Sequence, residues 1–361
     1  MSEETRENSL LSFVAEVSGD EYLKVEENLG EGFVRLKISE AERRQAKHDI
    51  RSVEDIIVEL LRNARDAHAN RIFVATHVEG PLRHIVVLDD GSGIPQPMRD
   101  LIFEPRVTSK LDTMVIDDWG VHGRGMALYS ISQNTTLCNL TNTVVDGGSS
   151  LHIAADTTIL KERADQSRWP KVTKVLDKVE VESGPKNLIR NIVEFALAHE
   201  NIEVYFGSPA EIMATLFALG QNQYKSYAEA IAVPLAHDDT PLWKRPSSCT
   251  DAQELLDCSE ELGMNLSLRN CYRIINSEIN SLERVRTRIF NTLAPEKKPA
   301  DIYKDARGLK IHSADLAAFQ VELEQAFDDL AHKYFLSLSD EVKVSVQKDC
   351  IRASFPFEKE Q

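Results

Sequence analysis

Glu59-Leu-Leu-Arg-Asn63-Ala-Arg-Asp66-Ala67, Asp89-Asp-Gly91-Ser-Gly93-Ile-Pro95 and Gly120-Val-His122-Gly123-Arg124-Gly125-Met126-Ala127 follow one another in that order, with Thr108-Ser109-Lys110 between the last two. Glu59 and Asn63 are four residues apart, so on a helix they share one face, and Asp66 extends its polar rim by a turn. A carboxylate so placed can take a proton from water, while an amide oxygen one turn later binds a hard cation. Alone, the same residues also describe an ordinary solvated helix face.

The second stretch narrows the choice. Asp89 ends an apolar strand, and Gly91 and Gly93 allow tight backbone geometry where a side chain would obstruct a ligand. A carboxylate at such a strand end can accept a hydrogen bond from the exocyclic amine of adenine. Guanine offers a carbonyl there, and two facing acceptors leave a buried group unpaired. In the third stretch, glycines precede an apolar helix, and their N–H groups with the helix N-terminus suit phosphate oxygens. The spacing is not that of a P-loop, and no strand runs directly into it as a dinucleotide fingerprint requires. Lys110 can neutralise phosphate charge, and Leu111 to Trp119 have the length and composition of a mobile lid.

Around this block the periodicities define elements. Val34 to Ile38 alternate as a strand does. Val53, Ile56, Ile57, Leu60, Leu61 and Ala64 form a helical stripe to about His68, with Ser52 as N-cap and Asp55 in the first turn. Arg71–Val78 and Arg83–Asp89 read as strands joined by a Gly80-Pro81 turn. A helix is expected from Gly123 to Ile131 and a strand from Ser149. A second unit is expected after Trp169-Pro170, with a helix over 188–199, a strand over 202–206 and a helix from Pro209 to about Leu219. Residues 241–250 read as a loop. Two helical stripes follow, one through Ile275, Ile279, Leu282, Val285, Ile289 and Leu293, the other through Phe319, Leu323, Phe327 and Leu330. Val342, Val344 and Val346 read as a closing strand.

The 361 residues have room for two domains, and the 42% hydrophobic and 28% charged content is that of a globular chain. The start lacks a signal pattern, no apolar run spans a bilayer, and the odd count of five cysteines has no close metal-type pairing. A cytoplasmic protein without membrane attachment is expected. The net charge of -16 argues against indiscriminate attachment to nucleic acid.

These motifs resemble those of the GHKL ATPases, the superfamily of gyrase, heat-shock chaperones, sensor histidine kinases and MutL. Glu59…Asn63 looks like the N box, Asp89-x-Gly91-x-Gly93 the adenine box, and Gly120-x-x-Gly123-x-Gly125 the second glycine box. Asn63-Ala-Arg-Asp66-Ala67 and Val107-Thr-Ser-Lys110 are most similar to the MutL branch. The Pro-Ala-Arg sequence that follows the MutL ATPase domain has no counterpart, and no endonuclease or dimerisation domain is expected beyond Gln361.

The resemblance implies an α/β (α+β sandwich) Bergerat fold with a smaller C-terminal α/β transducer-like domain. It divides the chain into an extension (1–50), an ATP-binding domain (51–170) and a transducer-like, partly helical region (171–361). It implies ATP and Mg²⁺ as ligands and slow hydrolysis coupled to homodimerisation. Glu59 would be the general base and Asn63 the magnesium ligand, while Asp89, Gly91 and Gly93 would bind adenine. Asp66, Thr108, Lys110 and residues 120–126 (Gly120, His122, Gly123, Arg124, Gly125 and Met126) would line the nucleotide. Ser149 would replace the threonine on the adenine side, and Lys310 is a candidate for the transducer lysine. An ATP-driven switch with an unidentified protein partner is the reading adopted, DNA being disfavoured by charge. A chaperone-like remodelling ATPase and a kinase-like regulator are the alternatives.

Overall fold

The computed structural model describes residues 25–109, 115–117, 120–122, 125–175, 178–221, 240–293, 313–346 and 351–359. The chain divides into two compact units, Met1–Leu293 and Ala294–Gln361. In chain order the first holds β1 (Val25–Gly30), β2 (Phe33–Leu36), α1 (Glu40–Asp49), α2 (Val53–Asp66), β3 (Arg71–Glu79), β4 (Leu82–Asp89), β5 (Val107–Thr108), β6 (Val115–Asp117), β7 (Gly120–His122), α3 (Ala127–Asn134), β8 (Leu137–Val144) and β9 (Gly148–Asp156). It continues with β10 (Lys171–Val175), β11 (Lys178–Ser183), α4 (Leu188–Ala198), β12 (Glu203–Gly207), α5 (Pro209–Gln221), α6 (Arg245–Ser248), α7 (Ala252–Glu261), α8 (Leu268–Ile275) and α9 (Val285–Leu293).

A five-stranded sheet in the order β12-β3-β4-β9-β8 forms the frame. β12 pairs parallel to β3, and the remaining neighbours are antiparallel. Strand residues alternate between faces, so each face has its own core. Ile72, Val74, Ile85, Val87, Leu151 and Ile153 pack with Ile57, Leu60 and Leu61 of α2 and Ile192 and Phe195 of α4. Phe73, Ala75, Val86 and Leu88 pack on the other face with Ile212 and Leu216 of α5, Trp243, and Leu255 of α7. Helices therefore cover both faces of a mixed α/β sheet, and the domain is consistent with a Bergerat sandwich.

The helix that decides the site starts where the sequence places it. Ser52 and Asp55 form a reciprocal capping box at the head of α2. Other elements differ from the sequence reading. The stripe from Ile275 to Leu293 is two pieces, because α8 closes at Asn276 and Ser277 takes a φ of 57°, which no helix continues. Ile279 and Leu282 pack from the connection instead, and Leu282 N donates to Thr215 Oγ1 at 2.9 Å. Residues 241–250 are not a solvated loop, since Leu242 and Trp243 are buried in a short 3₁₀ turn leading into α6. The first unit holds residues on both sides of Trp169-Pro170. The hairpin β10–β11 sends Val172, Val179 and Val181 towards its α2-side core.

The second unit contains α10 (Ser313–Tyr334) and the strand pairs β13 (Leu336–Leu338) with β16 (Phe357–Lys359) and β14 (Lys343–Val346) with β15 (Ile351–Ser354). Phe327 of α10 stacks on Phe355 with ring centroids 5.2 Å apart. Among the described residues, no helix is long and apolar enough to cross a membrane.

Candidate functional site

A cleft of about 1080 Å³ opens on the α2 side of the sheet. Glu59, Asn63 and Asp66 line it from α2, and Asp89, Gly93 and Ser149 line it from the ends of β4 and β9. Thr108 lines it from β5, and Gly125 and Met126 line it from the turn into α3. Residues separated by up to 90 positions in sequence thus face one space.

Asp89 is buried at the β4 end, directly opposite Ser149 in the β4–β9 register. Ser149 Oγ donates to its Oδ2 at 2.6 Å, and Gly91 N donates to its Oδ1 at 2.8 Å. Burial pushes the Asp89 carboxyl up to about 6, against the lowering effect of those two donors. The adjacent Asp90 has a different task. Its Oδ1 accepts from Asn70 N and Arg71 N, both at 2.7 Å, which pins the start of β3.

The glycines serve close approach. Gly93 has a φ of +67°, and a Cβ there would lie 2.0 Å from Val144 O. A Cβ on Gly91 would lie 2.5 Å from Ala67 O, the acceptor for Ser92 N at the end of α2. The adenine-box loop is therefore seated directly on the helix that carries Glu59 and Asn63.

On α2, Glu59 Oε1 accepts from Arg62 Nη1 at 2.6 Å. Asp66 pairs with Arg65 at 2.9 Å. Asn63 leaves Nδ2 buried without a partner among the described residues. The two ends of a carboxamide have nearly the same shape, so the same side chain can offer oxygen to a hard cation.

The glycine-box region differs from the loop expected. β6 and β7 form an antiparallel hairpin pairing Val115 with His122 and Asp117 with Gly120, so Gly120 and His122 lie in a strand. Gly125 keeps the loop geometry, with a φ of +65° and its carbonyl accepting from Arg106 N at 2.8 Å. The helix starts at Ala127 rather than Gly123, after this left-handed residue. Lys110, Gly123, Arg124 and Lys310 lie outside the described residues, as does most of the expected lid.

Among the cleft residues that sequence reasoning missed, three polar ones stand out. Arg62 lies beside the expected base, one helical turn from it. Arg106 is buried at the cleft wall, ion-paired with Glu42, and its Nε has no partner among the described residues. Its nearest signal was its place just ahead of Val107-Thr-Ser-Lys110. Ser130, in the first turn of α3, leaves its Oγ buried and unpartnered.

Comparison with known proteins gives this geometry a family. Residues 50–182 match the family model described as histidine kinase-, DNA gyrase B- and HSP90-like ATPase. The DNA mismatch repair protein MutL of Thermus aquaticus is 48% identical over 87 residues, 24% of this chain and 16% of the relative. MutL of Mesorhizobium japonicum is 39% identical over 101 residues, covering 28% and 16%. MutL of Lactobacillus delbrueckii subsp. bulgaricus is 30% identical over 172 residues, covering 44% and 26%. Residues 50–182 are a GHKL-type ATPase domain, similar to that of the MutL branch.

The similarity spans only 16% to 26% of the length of these MutL relatives. A GHKL ATPase domain implies ATP binding, and the cleft fits such a ligand on its own evidence. Asn63, Arg106 and Ser130 each present a buried polar atom without a hydrogen-bond partner among the described residues, and glycines replace side chains where backbone must come close.

Proposed function

We propose that this chain binds Mg-ATP in the α2-side cleft and hydrolyses it slowly, using the nucleotide state to switch its assembly. The observation that carries the reading is the Asp89–Ser149 pair, buried on the floor of a cleft whose wall presents Glu59 and Asn63. The Asp89 carboxylate would accept the adenine amine, with Ser149 holding its other oxygen in place. Asp66, Thr108, Arg106, Met126 and the backbone around Gly125 would line the triphosphate, with Lys110 and residues 120–124 completing that side. Asn63 would hold the magnesium ion, whose contribution is to neutralise phosphate charge.

Glu59 would take a proton from the attacking water as its oxygen bonds to the terminal phosphorus. The bond from that phosphorus to the bridging oxygen breaks, and ADP leaves with the electron pair. Arg62 would hold the carboxylate in place for this transfer. Residues 51–170 would carry the nucleotide and 171–361 would relay its state, in a nucleotide-dependent homodimer located in the cytoplasm. The net charge of -16 favours a protein partner over DNA for the assembled form.

Glu59→Ala tests the chemistry. The variant should retain Mg-ATP binding, because adenine and phosphate contacts lie elsewhere, and lose about a hundredfold or more in hydrolysis rate. Turnover at the parent rate would remove Glu59 from the role of base.

A further inference from the structure

On the opposite face of the same sheet, a row of histidines has no part in the cleft. His77 of β3 stands opposite His84 of β4 in register, and their rings stack with centroids 4.6 Å apart. Glu79 lies two residues beyond His77, so its side chain projects from the same face. His152 of β9 lies diagonally across from His84, and His84 Nδ1 is 3.0 Å from His152 Nε2. His84 and Asp89 are five residues apart on β4, about 17 Å along the strand. The row therefore sits at the hairpin end of the sheet, away from the nucleotide cleft.

We propose that His77, Glu79 and His84 form a binding site for a divalent transition-metal ion of the zinc type. Each offers a ligand atom, and these atoms lie within 4.8 Å of one another. Tetrahedral zinc with bonds of about 2.0–2.2 Å holds its ligands roughly 3.3 Å apart, so the ligand atoms must draw together and one of the two stacked rings must turn for both in-plane lone pairs to meet at the ion. Glu79, whose side chain is 80% exposed, is free to swing in; its Oε2 already lies 3.8 Å from His84 Nε2. Two imidazoles and a carboxylate are a donor set that zinc accepts, with a fourth position left for water or a further ligand.

Two independent observations turn a cluster into a site. His84 Nε2 and His77 Nδ1 are buried and have no hydrogen-bond partner among the described residues, a costly state for ring nitrogens that a metal bond would relieve. His84 also has an outer partner. In the tautomer where His84 Nδ1–H donates to His152 Nε2, the His84 Nε2 lone pair is left for an ion on the Glu79 side. Metal-ligating histidines are oriented by a donor bond of this kind.

The charge balance agrees. Arg83 points to the other face and is held by Glu162 through two bonds of 2.7 and 2.8 Å, leaving Glu79 as the charge at the site.

The test uses the full chain, stripped of metal with a chelator that is then removed, and titrated calorimetrically with Zn²⁺. Co²⁺ serves as a second probe through its visible absorption. One Zn²⁺ per chain is expected, together with the intense d–d bands of four-coordinate Co²⁺. Glu79→Ala alters an exposed side chain and should leave the fold intact by circular dichroism, yet weaken Zn²⁺ binding by more than a hundredfold. His84→Gln should do the same. His152→Gln, which removes only the orienting partner, should cost about 10- to 100-fold. ATP affinity should be the same in the parent and Glu79→Ala. Absence of Zn²⁺ binding to the parent would overturn the proposal, as would equal Zn²⁺ affinity in the parent, Glu79→Ala and His84→Gln. The row would then be histidines packed on the sheet without a metal role.

Discussion

Asp89 is a carboxyl group removed from water and left with two donors, Ser149 Oγ and Gly91 N. Burial dominates, so its folded pKa of about 6 stands above the ordinary 3.8. A folded pKa raised in this way means that the empty protein holds this proton more tightly than the unfolded chain does. Stability from this group is then present below pH 3.8 and is lost as pH rises towards 6. ATP binding should run in the opposite direction, because the adenine amine needs the ionised carboxylate as acceptor. Affinity should therefore fall as pH drops through 6. The terminal phosphate of ATP also titrates near pH 6, so the informative quantity is the difference between the parent and Asp89→Asn. The asparagine variant should lose the part of the pH dependence that belongs to Asp89; identical pH profiles would show that Asp89 does not meet the base. Arg62 makes a separate prediction. Its guanidinium, buried beside Glu59, fixes the carboxylate's direction. Arg62→Ala should slow single-turnover hydrolysis by up to about a hundredfold, the cost of a misplaced group. ATP affinity should change far less, and an unchanged hydrolysis rate would remove Arg62 from any positioning role.

At the scale of elements, α2 anchors the main core of the first unit and lines the cleft with Glu59, Asn63 and Asp66. Leu60, buried next to Glu59 in sequence, belongs to the main core. Leu60→Ala should cost about 2–5 kcal/mol in urea unfolding; a change below about 1 kcal/mol would mean that α2 is not anchored as described. Gly93→Ala should weaken ATP binding, because its Cβ would press on Val144 O and move the adenine-box loop. Much of this region is legible in sequence because its signals are local. The stripe from Val53 to Ala64, the Ser52–Asp55 cap and the strands flanking Gly80-Pro81 each follow from neighbours a few residues apart. What was illegible depends on distant partners. Nothing near Glu203 says that β12 will pair parallel with β3, and nothing near His152 says that it will meet His84, 68 residues away. The break after α8 escaped because Ile279 and Leu282 keep helical spacing while packing from an irregular connection. Of the candidate site, the α2 residues, Asp89 and Ser149 were readable as motif positions. Arg106 and Ser130 were not, since their relevance lies in buried polar atoms that only the packed structure reveals. The β6–β7 hairpin was missed because Val115–Asp117 and Gly120–His122 are each too short to show a strand period.

For the molecule as a whole, the proposed function couples the nucleotide cleft to a change in assembly. A net charge of -16 opposes the polyanionic backbone of DNA. A non-hydrolysable ATP analogue should therefore promote self-association, read by sedimentation, without raising DNA affinity at low or moderate salt. A salt-sensitive gain in DNA binding with the analogue would point to a repair-type switch, and unchanged assembly would remove the switch in favour of a kinase-like regulator. Both outcomes presuppose that the cleft binds ATP and reads its base, and that can be measured directly. Calorimetric titration of the full chain with Mg-ATP and with Mg-GTP should give one ATP site per chain. ATP should bind about a hundredfold or more tightly than GTP, because the guanine carbonyl would face the Asp89 carboxylate with neither group paired. No binding of Mg-ATP, or equal affinity for the two nucleotides, would contradict the account.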